Sequence, residues 1–312
     1  MFQKVCEGFT RLLFLWVILA CALGYLHPPA LTALQPYTEW LFACTMLGIG
    51  AVLRPADFLP VLRHPWWVLL GSIAQFAIMP ALGFAIAKLL RLPPELALGV
   101  IIVGATPGAM ASNVISYLAR ADVAYSVALT STSTLLAPVL TPSLTYVLGS
   151  AWLPVQFWPM FLSIIKMVIL PLLAGFALRY LLRDRINRIV VIFPAFSAIF
   201  IAFICGLVVA LNVAHLRQMT ALVFVAVALH NAFGLLLGYG AGKCYRFDAR
   251  RCRTLALEVG MQNAGLGAVL ALKHFSAQTA LPAALFATWC IITASILAEY
   301  WSRRPVNDGD NP

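Results

Sequence analysis

The chain has 312 residues, of which 62% are hydrophobic and 10% charged, and its mean hydropathy is +0.92. Those values exclude an ordinary soluble domain and describe an all-α polytopic membrane protein lying in a lipid bilayer. The net charge of +10 implies no nucleic-acid partner, because the basic residues gather in the loops of one side.

A hydrocarbon core of roughly 30 Å takes about 20 apolar helical residues to cross. Ten such segments are read, at 9–26, 37–53, 66–87, 96–118, 123–148, 159–182, 189–211, 219–242, 254–273 and 277–300. With a cytoplasmic N-terminus and alternating segments, the inner regions collect Lys4, Arg11, Arg54, Arg63, Arg120, Arg179, Arg183, Arg185, Arg188, Lys243, Arg246, Arg250, Arg251, Arg253, Arg303 and Arg304. The outer loops keep Lys88, Arg91, Arg217 and Lys273. That asymmetry is the positive-inside pattern, and it places both termini in the cytoplasm. The first segment has the outline of a signal peptide, with Lys4 and Arg11 ahead of the apolar run and Ala20 and Ala22 in small-residue positions. Retaining it preserves the even count and the charge alternation, so it is read as the first helix. Cys6, Cys21, Cys44, Cys205, Cys244, Cys252 and Cys290 form no CxxC pair and no metal-ligand spacing, and none is given a role.

Ten spans divide into five plus five, and an odd number per half inverts the second half in the membrane, as in many secondary transporters. Residues 1–150 form the first five-helix repeat and 151–302 the second, inverted one. Residues 303–312 form a polar cytoplasmic tail, expected to be disordered. The interruptions match: "GATPGAMASN" (104–113) in the fourth span and "EVGMQNAG" (258–265) in the ninth. Pro107 removes a helical hydrogen bond and disfavours helix at Thr106, so the fourth span breaks near its middle. Gly260, Gly265 and Gly267 are expected to permit an unwound turn in the ninth. Broken backbone at that depth must be buried in protein or line a wet cavity.

In chain order, the third span carries one amide, Gln75, whose default reading is interhelical packing. The fourth adds Ser112 and Asn113 beside the break, and the fifth adds Ser126 and Thr130, four apart on one helical face. Lys166 lies in the sixth span and His230 and Asn231 in the eighth, the latter two read as a polar pair between helices. Glu39, Glu299 and Lys88 lie near span ends. In the ninth, Glu258 costs roughly 2.5 to 3.5 kcal/mol by insertion scales and needs a partner. It is either salt-bridged to Lys166 or part of a cation or proton site; Gln262 and Asn263 add amide oxygens, and oxygen-only ligation suits a hard cation such as sodium.

The stretches "TPGAMASNVISYLARADVAYSVALTSTSTLLAPVLTP" (106–142) and "LEVGMQNAGLGAVLAL" (257–272) resemble the bile acid:sodium symporters and their bacterial relatives, and the ten-span plan agrees along the chain. The resemblance implies discontinuous helices 4 and 9 crossing at their breaks. It implies panel helices at 9–53 and 159–211, and core helices at 66–148 and 219–300. It implies two sodium ions: one at Ser112, Asn113, Ser126, Thr130 and Glu258, the other at Gln75, Glu258, Gln262 and the carbonyls of Val259 and Met261. The chain departs from the family's Pro-Gly-Gly at Ala109 and carries Met110 where small polar residues are common.

The function so implied is sodium-coupled symport of an organic anion by alternating access, in the inner membrane of a bacterium, by a monomer. Half-helix N-termini favour a carboxylate at the crossover, where Asn263 and the amides near Met110 and Ala111 are the expected substrate contacts. The anion is bile-acid-like or a small carboxylate such as pantoate or ketopantoate. Proton coupling through Glu258 is the alternative. An intramembrane enzyme is a remote one, since no G-x-S-x-G, H-E-x-x-H or pair of intramembrane acids occurs.

Overall fold

The computed structural model describes residues 12–59, 63–182, 186, 190, 192–214 and 216–304. Lys4, Cys6, Arg11, Arg183, Arg185, Arg188, the side chain of Arg217 and tail residues 305–312 lie outside the described residues. The helices are α1 (Leu13–Leu26), α2 (Thr38–Val52), α3 (Pro65–Leu89), α4 (Pro94–Ala105), α5 (Ala111–Leu118), α6 (Val123–Gly149), α7 (Phe157–Leu182), α8 (Ile192–Asn212), α9 (Leu216–Cys244), α10 (Ala249–Gly260), α11 (Ala264–His274) and α12 (Ala277–Ser302). Among the described residues there is no β-strand.

Local chemistry sets the helix ends. Pro65 and Pro94 open α3 and α4, where a missing N–H costs nothing. Asp122, Asp248 and Ser276 cap α6, α10 and α12 by accepting from the amides of Tyr125, Arg251 and Thr279 at 3.0, 2.9 and 3.2 Å. Arg91, Arg120 and Arg246 follow α3, α5 and α9 with φ of 51°, 51° and 57°. After each, the next amide reaches back five residues, to Ala87, Ser116 and Gly242 respectively, which closes the helix with a left-handed residue.

Among the described residues, six helical stretches are long and apolar enough to cross a membrane: α3, α6, α7, α8, Ala221–Cys244 of α9, and α12. The fourth expected span is split into α4 and α5, and the ninth into α10 and α11. The spans expected at 9–26 and 37–53 meet shorter helices, of 14 and 15 residues. At 1.5 Å per residue these reach about 21 and 22 Å. α1 and the stretch Pro28–Val52 are bent at 112° to each other and together pass as one further span.

The glycines of the ninth span do not make its break, contrary to expectation. Gly265 and Gly267 lie inside α11, and the break falls at 261–263, where Asn263 accepts from the Leu266 amide at 3.1 Å as an N-cap. A capping side chain restarts the helix; glycine there serves close packing instead. Within α7 the residues Ile165–Ile169 form a π-helical turn that carries Lys166, which is exposed.

Backbone approaches lock several helix pairs. A Cβ on Gly24 of α1 would lie 2.2 Å from the Gly206 carbonyl oxygen of α8, and one on Gly206 would lie 2.5 Å from that of Ala20. For α2 and α7 the reciprocal pair is Gly50 and Gly175, each with a carbonyl oxygen of the other helix at 2.0 Å, those of Leu172 and Leu47. α4 is held the same way, Gly104 against the Met79 oxygen of α3 (2.5 Å) and Gly99 against the Thr279 oxygen of α12 (2.3 Å). At the end of the molecule carrying the C-terminus of α11, Lys273 pairs with Glu39 of α2 at 2.5 Å. Nearby His274 meets the Ser163 hydroxyl of α7 at 2.9 Å, and Asn212 of α8 donates to the Ala277 carbonyl of α12 at 2.9 Å.

Candidate functional site

The two breaks meet. Ala109 N–H donates to the Met261 carbonyl at 3.0 Å, and Asn263 N–H donates to the Pro107 carbonyl at 2.8 Å, an antiparallel bridge between Gly108 and Gln262. Groups freed by unwinding thus satisfy each other across the crossover, as buried backbone must. Gly108 leaves room for the carboxylate: a Cβ on it would stand 2.8 Å from Glu258 Oε2, which would have to shift.

Glu258, on the last turn of α10, is 2% exposed. Its carboxylate accepts from the hydroxyl of Ser112 on α5, from Ser126 on α6 at 2.5 Å, and from Thr130 on α6 at 2.8 Å. Asn113 Oδ1 lies 2.9 Å from the Ser126 hydroxyl and 3.3 Å from that of Thr130. All five residues of the first expected set therefore stand together. Each hydroxyl has one proton to share among these acceptors, so the cluster is rich in lone pairs. Lys166 is not the partner of Glu258; that salt-bridge reading is replaced by the three hydroxyls.

Of the second set, hydrogen bonds join Gln75, Gln262 and Val259. Gln75 Nε2 donates to Gln262 Oε1 at 2.9 Å, and Gln262 Nε2 donates to the Val259 carbonyl at 2.7 Å. The Met261 carbonyl already accepts from Ala109, so Val259 and Met261 each keep one lone pair rather than a free oxygen. Gln75 Oε1 is buried with no hydrogen-bond partner among the described residues. A buried acceptor without a donor is costly in apolar surroundings and fits a cation.

The expected substrate contacts are as accessible as Asn113 of the first set, which is half-buried, and more so than the other side chains of the two sets. Met110, Ala111 and Asn263 are all half-buried, whereas Glu258, Ser112, Ser126, Thr130, Gln75 and Gln262 are buried. Asn263 spends its Oδ1 on the Leu266 amide, which leaves its Nδ2 as the donor it can offer. Beside it, the space in front of Gly265 is closed by the rings of Phe200 and Phe42, 3.5 and 3.6 Å from the position a Cβ would take. The two rings are 5.4 Å apart by centroid.

Two contributors were missed from sequence. Ser116 donates to the Ser126 hydroxyl at 3.2 Å behind the Glu258 cluster; its spacing of four from Ser112 was the available signal. Ser133 accepts from the Gly108 amide at 3.4 Å and donates to the Thr130 carbonyl at 3.1 Å. His230 and Asn231 are a polar pair between helices, as expected: His230 Nε2 meets the Met79 carbonyl at 2.9 Å, and Asn231 donates to the Gly260 carbonyl at 2.8 Å.

Residues 40–219 match the Sodium Bile acid symporter family. The chain is 42% identical over 290 residues, 93% of its own length and 90% of the relative's, to the "Uncharacterized sodium-dependent transporter YocS" of Bacillus subtilis (strain 168). It is 35% identical over 303 residues, covering 96% of the chain and 76% of the relative, to the "Probable sodium/metabolite cotransporter BASS1, chloroplastic" of Arabidopsis thaliana. It is also 35% identical over 315 residues, covering 99% and 75%, to the "Probable sodium/metabolite cotransporter BASS2, chloroplastic" of Oryza sativa subsp. japonica. These relatives are named as transporters, not enzymes, and they are sodium-dependent by name. The chain is a multi-pass membrane transporter that belongs to the Sodium Bile acid symporter family.

Proposed function

We propose that the protein is a symporter that couples sodium entry to movement of an organic anion by alternating access. The observation that carries this reading is the cluster around Glu258, a buried carboxylate ringed by three hydroxyls and an amide oxygen drawn from α5 and α6. Hydroxyls can turn their lone pairs to an entering cation, and the set contains oxygen alone, as sodium prefers. The first sodium ion would be held by Ser112, Asn113, Ser126, Thr130 and Glu258. The second would be held by Gln75, Glu258, Gln262 and the carbonyls of Val259 and Met261, where the orphan Gln75 Oε1 supplies an unused ligand. Shared by both, Glu258 would be compensated on two sides.

The architecture belonging to this function is ten spans in two inverted repeats, 1–150 and 151–302, with α1, α2, α7 and α8 as panel and the remaining helices as core. Matched features support it. Each repeat breaks its fourth helix, and each closes its third with a left-handed arginine, Arg91 and Arg246. The protein would work as a monomer in the inner membrane of a bacterium, both termini cytoplasmic, in keeping with the positive loops.

For cargo, the N-termini of α5 and α11 offer partial positive charge at half-buried Met110, Ala111 and Asn263. The cargo would be an organic anion, either bile-acid-like, as the name of the matched family has it, or a small carboxylate among the metabolites that the names of two relatives mention. Thermal-shift screening of organic anions in sodium identifies the cargo, because a ligand of the native state raises apparent stability. Uptake of that anion into proteoliposomes is then expected to require a sodium gradient and to vanish in Glu258→Ala. Uptake indifferent to sodium but driven by a pH gradient would assign Glu258 to protons instead.

A further inference from the structure

Each half-helix that ends at the crossover leaves its last carbonyls without helical partners. α4 ends at Ala105, whose carbonyl accepts from the Thr141 hydroxyl of α6 at 2.7 Å. α10 ends at Gly260, whose carbonyl accepts from Asn231 Nδ2 of α9 at 2.8 Å. Asn231 is 0% exposed, and its Oδ1 accepts from the Thr293 hydroxyl of α12 at 2.6 Å. The Gly260 carbonyl can only accept, so Nδ2 must face it and Oδ1 is left facing the Thr293 hydroxyl, whose one proton it shares with the carbonyls of Trp289 and Cys290 at 3.1 and 3.2 Å.

The Gly260 carbonyl sits between those of Val259 and Met261. Met261 is extended, with φ −113° and ψ 112°. Holding Gly260 toward α9 therefore sends the Met261 carbonyl to the opposite side, toward Ala109 and the crossover. The neighbouring His230 grips the other half of the same site. Its Nε2 lies 2.9 Å from the carbonyl of Met79, one helical turn beyond Gln75 on α3. One dipeptide of α9 thus anchors both the backbone that supplies carbonyls and the helix that supplies Gln75.

We propose that Asn231, supported by its hydrogen bond with Thr293, is a positioning residue of the second sodium site: it withholds the Gly260 carbonyl and so turns that of Met261 toward the crossover and the ion. This rests on the sodium reading above. It touches no ion itself and acts through the α10–α11 break.

The test uses the full-length protein in detergent, with the rise of its thermal midpoint on titrating sodium chloride against potassium chloride at constant ionic strength. Outer groups that orient metal ligands typically change affinity by tenfold or more, so Asn231→Ala is expected to raise the sodium half-saturation about 10-fold. Thr293→Val shifts it in the same direction by less, and Thr293→Ser restores it. A lowered midpoint in potassium with an unchanged sodium half-saturation in both variants would leave them merely structural and overturn the proposal. Where Asn231→Ala does not fold, Thr293→Val decides alone. Glu258→Gln separates the two readings. If the wild type shows no sodium response, or Glu258→Gln keeps it, the sodium sites and this inference fall together. If Glu258→Gln abolishes the response while Thr293→Val and Asn231→Ala match the wild type, this inference alone falls.

Discussion

Replacing Thr130 by valine keeps the shape of the side chain and removes one oxygen. In the structure that oxygen donates to Glu258 Oε2 at 2.8 Å and lies 3.3 Å from Asn113 Oδ1. A hydrogen bond to a buried charge is worth roughly 1.5 to 3 kcal/mol, so the sodium-free protein should lose about that much stability. With sodium bound, the same oxygen would serve as a ligand, and its loss weakens the bound state as well. The two losses partly offset each other in the affinity. If the ligand loss exceeds the hydrogen-bond loss by about 1.4 kcal/mol, the sodium half-saturation rises about tenfold. The assay is a thermal melt in potassium and across a sodium titration, paired with sodium-driven uptake. A destabilised protein whose sodium half-saturation stays within about twofold of wild type would show that Thr130 supports the carboxylate without binding the ion, and the first sodium site would lose its fifth ligand.

Gly108→Ala should impair sodium coupling more than folding, because its Cβ would press on Glu258 Oε2 from 2.8 Å, and that carboxylate has hydroxyls on its other sides; sodium-titrated melts check it. Asn263→Ala should cost about 1 kcal/mol through the lost cap of α11. At saturating sodium it should also raise the substrate half-saturation in uptake, whereas Asn263→Ser should recover the stability but not the substrate affinity. Gly175→Ala places a methyl 2.0 Å from the Leu47 carbonyl oxygen, a backbone atom that cannot step aside; the thermal midpoint should fall in sodium and potassium alike.

Part of the site was legible because its residues sit at helical spacings. Ser126 and Thr130 could be placed on one helical face by periodicity and the charge cost of Glu258 demanded partners, but joining them with Ser112 and Asn113 into one site across 128 to 146 positions rested on the resemblance. Gln75 could not be joined to Gln262 by any local rule, since 187 positions separate them; resemblance supplied that pairing. The break of the ninth span was placed correctly but for the wrong reason. Glycines seemed the agents, yet Gly265 and Gly267 are helical and Asn263 starts the new helix. Proline is an equally incomplete guide: Pro107 lies in a break, while Pro80, Pro138, Pro142 and Pro282 are all inside helices. What distinguishes Pro107 is a partner backbone, that of Met261–Asn263, ready to bond the groups it frees. Such a partner is a tertiary fact that no window of sequence contains.

The close glycine approaches carry one more consequence. They fasten α1 to α8, α2 to α7, and α4 to both α3 and α12, backbone against backbone. Where α11 faces α2 and α8, Gly265 instead meets the rims of two phenyl rings at ordinary contact distance. Ties in this region among the described residues include the Lys273–Glu39 pair, the hydrogen bonds of His274 and Asn212, and that of the Cys205 thiol of α8 to the Ala284 carbonyl of α12 at 3.4 Å. Rings can tilt and exposed ion pairs can re-form, but a notch cut to the peptide plane holds its partner in register. At the contact of α11 with α2 and α8 the register is therefore set by side chains that can turn, not by backbone against backbone.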